Sequence, residues 1–200
     1  MIATPSLIIN RTNDAQKTIT LLDEDAPYEY LITIDGKIIV VNSLTNCFRC
    51  SSGSQMSATH LTNADYSFIL NANWHVSNIT DMSYMFRGCT SLKDITVLAN
   101  WNVANVTDMS HMFNGCSMLT TTNGLANWNV TNVRDTKYMF SYCGSLENIN
   151  AIVNWNVTNI TDMGGMFIGC YKLPEVSNLT STADIKNYLK KLQEAQKPKK

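Results

Sequence analysis

Residues 100–116 read NWNVANVTDMSHMFNGC, and the chain writes nearly this stretch four times. Trp74, Trp101, Trp128 and Trp155 stand 27 residues apart, and Asp81, Asp108, Asp135 and Asp162 follow each Trp by seven. Met85, Met112, Met139 and Met166 keep the period, as do Phe86, Phe113, Phe140 and Phe167. So do Cys89, Cys116, Cys143 and Cys170, and then Leu92, Leu119, Leu146 and Leu173. A fixed period of this length means units that cannot bury an apolar face alone and stack on their neighbours.

The unit decides between a propeller and a solenoid. After each Cys comes a segment such as SLKDITVLANW, with room for one strand of about three or four residues. A propeller blade needs four strands, so the pattern predicts a solenoid. In NVTDMSHMF, Val106, Met109, Met112 and Phe113 form an approximately helical stripe. Thr107 is placed to cap one or two helical turns, Asp108 sits in the first turn, and Gly115 offers the stop. The expectation is a strand, a Trp-bearing corner, a short helix and a turn per coil, with the parallel strands about 4.8 Å apart.

The pattern NWNVxNVTDMSxMFxGCxSL resembles the surface-protein repeat of the BspA-like leucine-rich-repeat superfamily, the type found in mycoplasma-like lipoproteins and bacterial surface proteins. The resemblance covers roughly residues 72 to 179. It implies a leucine-rich-repeat-like solenoid used for protein binding or adhesion at a surface, without catalysis.

Repeat arrays need atypical end units to cover the open core. Residues 1–72 read as an N-terminal cap, in which PYEYLITIDGKIIVVNS places two apolar runs around Asp35-Gly36, a type I′ hairpin signal. Tyr30, Ile32 and Ile34 are expected to pair across from Ile38 and Val40, and a degenerate coil leads into the array. Residues 73–179 hold the four copies. Residues 180–200 supply a capping helix, begun by Ser181 with Asp184 three residues on, and a basic tail. Ile185, Leu189 and Leu192 share its buried face.

Lys and Arg total 15 against 16 for Asp and Glu, so charge gives no reason to expect nucleic acid or an anionic membrane as partner. Only 16% of residues are charged, which argues against a helical bundle. The N-terminus shows no secretory signal and no apolar run reaches transmembrane length, which favours an intracellular or virion-associated place over a cell surface. Sequons occur at Asn10, Asn78, Asn105, Asn129, Asn156, Asn159 and Asn178; most read as by-products of the repeated NVT, where Thr serves as a cap, more than as glycosylation sites.

Aligned cysteines lie along an axis instead of converging on a point, so they read as a buried ladder of small apolar thiols, not a metal or redox centre. Cys47 and Cys50, as CFRC, have redox or half-zinc spacing but no second pair. The aspartates could hold calcium, yet unit charges about 5 Å apart repel by roughly 3 kcal/mol at an effective dielectric of 20, and backbone N–H groups of the same coil suffice to compensate them. Asn73, Asn100, Asn127 and Asn154 read as an internal amide ladder. His60, His75 and His111 occupy unrelated repeat positions, and no nucleophile elbow, phosphate loop or acid–base pair appears, so neither catalysis nor a cofactor is expected.

A binding surface should lie where the repeat varies outwardly. Candidate rows are Tyr84, His111, Tyr138 and Gly165; Arg87, Asn114, Ser141 and Ile168; and Lys93, Thr120, Glu147 and Pro174. The first would present an aromatic contact stripe. The expected function is a non-catalytic interaction or adhesion module with a protein or surface-glycan partner. The alternative is a structural subunit of a large assembly, such as a virus particle or cell envelope.

Overall fold

The computed structural model describes the backbone of residues 6–10, 16–20, 32–34 and 37–39, and residues 76–77 and 79–198. Strands β1 (Ser6–Asn10) and β2 (Gln16–Thr20) form one antiparallel hairpin, with Ile8 opposite Thr18. Strands β3 (Ile32–Ile34) and β4 (Lys37–Ile39) form the second, with Ile34 opposite Lys37 and Ile32 opposite Ile39. The second hairpin lies where Asp35-Gly36 predicts it, although Thr33, not an isoleucine, faces Ile38. The first was not expected. Expectations for Trp74, Asn73, Cys47, Cys50, His60, His75, the degenerate coil, the Asp35-Gly36 turn and the end of the basic tail lie outside the described residues.

From residue 79 onward, each 27-residue unit lies against the next. Every second N–H of the stretch after the Asp points sideways: Met82, Tyr84, Phe86 and Gly88 donate to the carbonyls of Asp108, Ser110, Met112 and Asn114 at 2.7–2.9 Å. The same four bonds run from Met109, His111, Phe113 and Gly115 to Asp135, Lys137, Met139 and Ser141, and again from Thr136, Tyr138, Phe140 and Tyr142 into the last unit. The alternate N–H groups turn back on their own unit, as Met85 does to Met82 and Cys89 to Phe86. Backbone pairing is therefore satisfied half within and half between units. Parallel bridges join Asp81 to Asp108, Asp108 to Asp135 and Asp135 to Asp162.

This differs from the expected local elements. The stretch read as a helix is a run of tight turns, because Tyr84, His111 and Tyr138 take φ of 54–58° and interrupt any right-handed helix. Asp108 does not cap a helix; its Oδ1 accepts the N–H of Ser110 at 2.7 Å, closing a local turn that competes with helix formation. The short strand expected after each Cys is instead a turn of helix: 3₁₀ at Thr96–Asn100 and at Asn123–Leu125, and α1 at Asn150–Val153. Side chains start two of these turns, with Asp94 Oδ1 accepting from Thr96 N and Thr121 Oγ1 from Asn123 N. Leu98, Leu125 and Ile152 are thereby turned into the core.

Identical side chains meet in the core. Phe86, Phe113, Phe140 and Phe167 are fully buried and stack with centroids 5.3, 5.5 and 5.8 Å apart and planes within 8°. Such pairs contribute about 0.5–1.5 kcal/mol each beyond the area they bury. Trp101, Trp128 and Trp155 are buried in the same core, with Trp101 packed 6.5 Å from Phe86, and the indole N–H groups of Trp128 and Trp155 donate to Leu98 and Leu125 carbonyls at 2.9 and 3.0 Å. Helix α2 (Thr182–Ala195) follows, its Ser181 Oγ accepting the Asp184 N–H as the capping-box reading requires. Ile185 and Leu189 are buried, and Leu192 packs at the edge of the same core. The last unit has no further unit to bond, and residues at the start of α2 take over: Met163 N–H donates to Thr182 Oγ1 at 2.8 Å and Gly165 N–H to Thr180 O at 3.0 Å.

Candidate binding face

The turns that replace the expected helix carry two residues per unit in the left-handed region. The first is the row Tyr84, His111, Tyr138 and Gly165, at φ 58°, 56°, 54° and 64°. A residue with a Cβ held there costs about 1–2 kcal/mol. Stacking offsets part of this: the Tyr84 and His111 rings lie 4.5 Å apart and within 9° of parallel, and His111 lies 5.0 Å from Tyr138. Tyr138 in turn covers Gly165, where a Cβ would lie 2.6 Å from its Cδ1. The three rings are half-buried and Gly165 is buried, so the row is a column of mutually supporting rings with one edge outward.

Charged neighbours decorate that edge. The Arg87 guanidinium sits 5.5 Å from the Tyr84 ring centre and the Lys137 ammonium 5.7 Å from that of Tyr138, both within cation–π range. Lys137 also reaches Asp162 at 3.4 Å. Asn114 is half-buried one unit beyond Arg87, whereas Ser141 in the same row is buried, so it is not an outward position. Lys93 and Glu147 are exposed, and Glu147 pairs with Lys172 at 2.6 Å. Tyr84, His111, Tyr138 and Arg87 thus come together, while Lys93 and Glu147 stand two units apart in their row.

The second left-handed row is Gly88, Gly115, Tyr142 and Gly169, at φ 74°, 76°, 60° and 77°. Three units use glycine, which adopts this conformation without steric cost; the third holds an exposed tyrosine. The Tyr142 ring lies over Gly169, where a Cβ would be 2.6 Å from its Cδ1. Tyr142 was not among the expected binding residues, although its break in an otherwise glycine row is visible in the sequence.

Behind this face the repeated polar residues are engaged. Asp81, Asp108, Asp135 and Asp162 each accept, through Oδ1, the N–H two residues on, at 2.7–2.8 Å. Burial, and then the charges of Asp108 and Asp162, hold the Asp135 carboxyl above its ordinary range, against the Lys137 N–H bond, which pulls it down. The expected amide ladder lies elsewhere: Asn100, Asn127 and Asn154 are exposed, since the neighbouring Trp, not the Asn, turns inward. The amides that cross between units belong to Asn105, Asn132 and Asn159, donating to Ser77, Ala104 and Thr131 carbonyls at 2.7–2.9 Å. Thr107 and Thr161 hydroxyls make parallel bonds to Thr80 and Arg134 carbonyls.

The thiols of Cys116, Cys143 and Cys170 donate to the carbonyls of Phe86, Phe113 and Phe140 at 3.1–3.2 Å, and all four repeat cysteines are fully buried. Burial pushes the Cys143 thiol well up, with the neighbouring sulfurs of Cys116 and Cys170 adding to it, and pushes Cys170 up to about 12. A thiolate nucleophile or metal ligand is thereby disfavoured at these positions. Among the described residues there is no group of three His, Cys, Asp or Glu side chains placed to hold a metal ion, and no helix long and apolar enough to cross a membrane.

A family model described as "Mycoplasma protein of unknown function, DUF285" matches residues 54–178, more than half of the chain. No curated protein and no solved structure matches.

Proposed function

The chain belongs to the DUF285 family of Mycoplasma proteins, and we propose that it is a non-catalytic interaction module, a leucine-rich-repeat-like solenoid that adheres to a protein or surface-glycan partner through its outer face. The observation that carries the reading is the division of labour within the repeat. Phe, Met, Cys and Leu repeat identically where they are buried, whereas some outward rows differ from unit to unit, as in Arg87 against Asn114 and Lys93 against Glu147. A spacer needs only the first property; a recognition surface needs both. The leucine-rich-repeat assignment rests on the NWNVxNVTDMSxMFxGCxSL signature and on the unit-to-unit bonding that a stacked array requires.

The test is saturable binding of the full chain, fluorescently labelled, to intact animal cells. A variant carrying Arg87→Ala, Lys93→Ala, Asn114→Ala and Glu147→Ala should retain its Tm and lose most of that binding. Absence of cell binding, together with concentration-dependent growth into large assemblies by light scattering, would replace this reading with that of a structural subunit.

A further inference from the structure

We propose that the corner formed by Tyr142 and Tyr171 is a binding site for a neutral carbohydrate, an assignment that rests on the interaction-module reading and gives it a ligand class. Two neighbouring rows of the repeat hold small residues in every unit but one. Gly88, Gly115 and Gly169 share a row with Tyr142, and Thr90, Ser117 and Gly144 share a row with Tyr171. The two exceptions fall on adjacent units and reach toward each other's: the Tyr142 ring lies over Gly169, and Tyr171 Cδ2 lies 3.6 Å from the position of a Gly144 Cβ. Their units are stacked neighbours, with the Phe140 and Phe167 rings 5.8 Å apart in the core behind them.

Neither ring is there for the core. Tyr142 is 57% exposed and Tyr171 76% exposed, and Tyr142 accepts a left-handed backbone that the other three units assign to glycine. Strain held in place without burial to offset it points to use of the side chain. Neighbouring residues define what it is used on. Segments 111–118, 138–146 and 164–171 contain no Asp, Glu, Lys or Arg, and Lys172, which follows Tyr171 in the chain, is paired with Glu147 at 2.6 Å. An anionic or cationic ligand finds no complement at this corner. A sugar ring does: its C–H face stacks on a tyrosine, while its hydroxyls exchange hydrogen bonds with the phenol groups.

The full chain is titrated by saturation-transfer NMR with neutral hexasaccharides of glucose, mannose, galactose and N-acetylglucosamine. At least one should bind, and Tyr142→Gly and Tyr171→Ser, each restoring a residue its row already uses, should weaken it about tenfold or more while Tm holds or rises. Binding to none of the four, or equal binding by both variants, overturns the assignment. The cell-binding assay separates the two readings. Cell binding that survives enzymatic removal of glycans but is lost in Tyr142→Gly overturns the carbohydrate and leaves the interaction module standing. Cell binding lost on glycan removal and in Tyr142→Gly alike supports both.

Discussion

The Tyr138 ring fills the space into which a Cβ on Gly165 would project, with Cδ1 only 2.6 Å from that point and the Gly165 backbone at φ 64°. Gly165 closes a column of three rings, and its N–H bonds Thr180 at the start of the closing segment. Gly165→Ala therefore combines left-handed strain with an overlap. It should cost roughly 2–3 kcal/mol of stability, measured by urea denaturation. Adding Tyr138→Ala removes the overlap but not the strain, so the double variant should lose less than the sum of the two single ones.

The aspartate row gives stability a pH dependence of definite sign. Asp135 has its folded pKa raised, by burial first and then by Asp108 and Asp162. Between the ordinary carboxylate value and the raised one, the folded state holds more protons than the unfolded, so this group's contribution is full below that window and is lost as pH rises through it. Asp135→Asn keeps an oxygen for the Lys137 N–H and removes the charge. The variant should match or exceed the parent in Tm at neutral pH and show a flatter stability profile across the acid window. A variant less stable than the parent at neutral pH would mean that attraction to Lys137 outweighs the two carboxylates.

Buried thiols with raised pKa values should be inert in the native fold. Iodoacetamide at pH 8, followed by peptide mapping, should leave Cys143 and Cys170 unmodified until denaturant is added, since each is buried and donates to a carbonyl of the preceding unit. Labelling of either at a rate independent of denaturant would mean that the units part readily at that level.

The sequons divide by structure. Asn105 and Asn159 use their amide nitrogens to bond the preceding unit at 2.7 and 2.9 Å. Asn129 is exposed, with Oδ1 accepting from the Thr131 hydroxyl and N–H, and Asn156 is exposed with Oδ1 on Thr158 N. Expressed through a secretory pathway that glycosylates Asn-X-Thr, the folded chain should accept sugar at Asn129 or Asn156 in preference to Asn105 and Asn159, as read by intact mass and site mapping. Full occupancy of Asn105 would mean that the transferase acts before the units stack.

The period and the buried rows were legible because a side chain facing its own copy must suit that copy, and the closing helix because Ser181, Ile185 and Leu189 write a cap and an apolar face. Local conformation was not. Val106, Met109, Met112 and Phe113 are all buried as a helical stripe predicts, yet they reach the core from successive tight turns. Apolar spacing reports which residues point inward, and does not record that the N–H groups between them bond sideways. The left-handed tyrosines were hidden for the same reason, since Tyr is an improbable choice at positive φ unless a neighbouring ring holds it. Among the candidate positions, Tyr84, His111 and Tyr138 do line up, but largely on one another; Gly165 and Ser141 turn inward. The glycine row broken by Tyr142 was open to view, and asking which unit departs from its own pattern would have found it.

Met163 and Gly165 bond the closing segment with the same backbone N–H groups that earlier units offer to their successors, so the lid takes the place of a next unit. An in-frame exchange of 27 residues among the first three copies rejoins the backbone in register and leaves the last copy, with Gly164 and Gly165 under the lid, in place. Recombination within such a gene can therefore lengthen or shorten the array and reshuffle which outward residues stand side by side, so that the face can be rewritten by moving whole units, without a single new point mutation in the core.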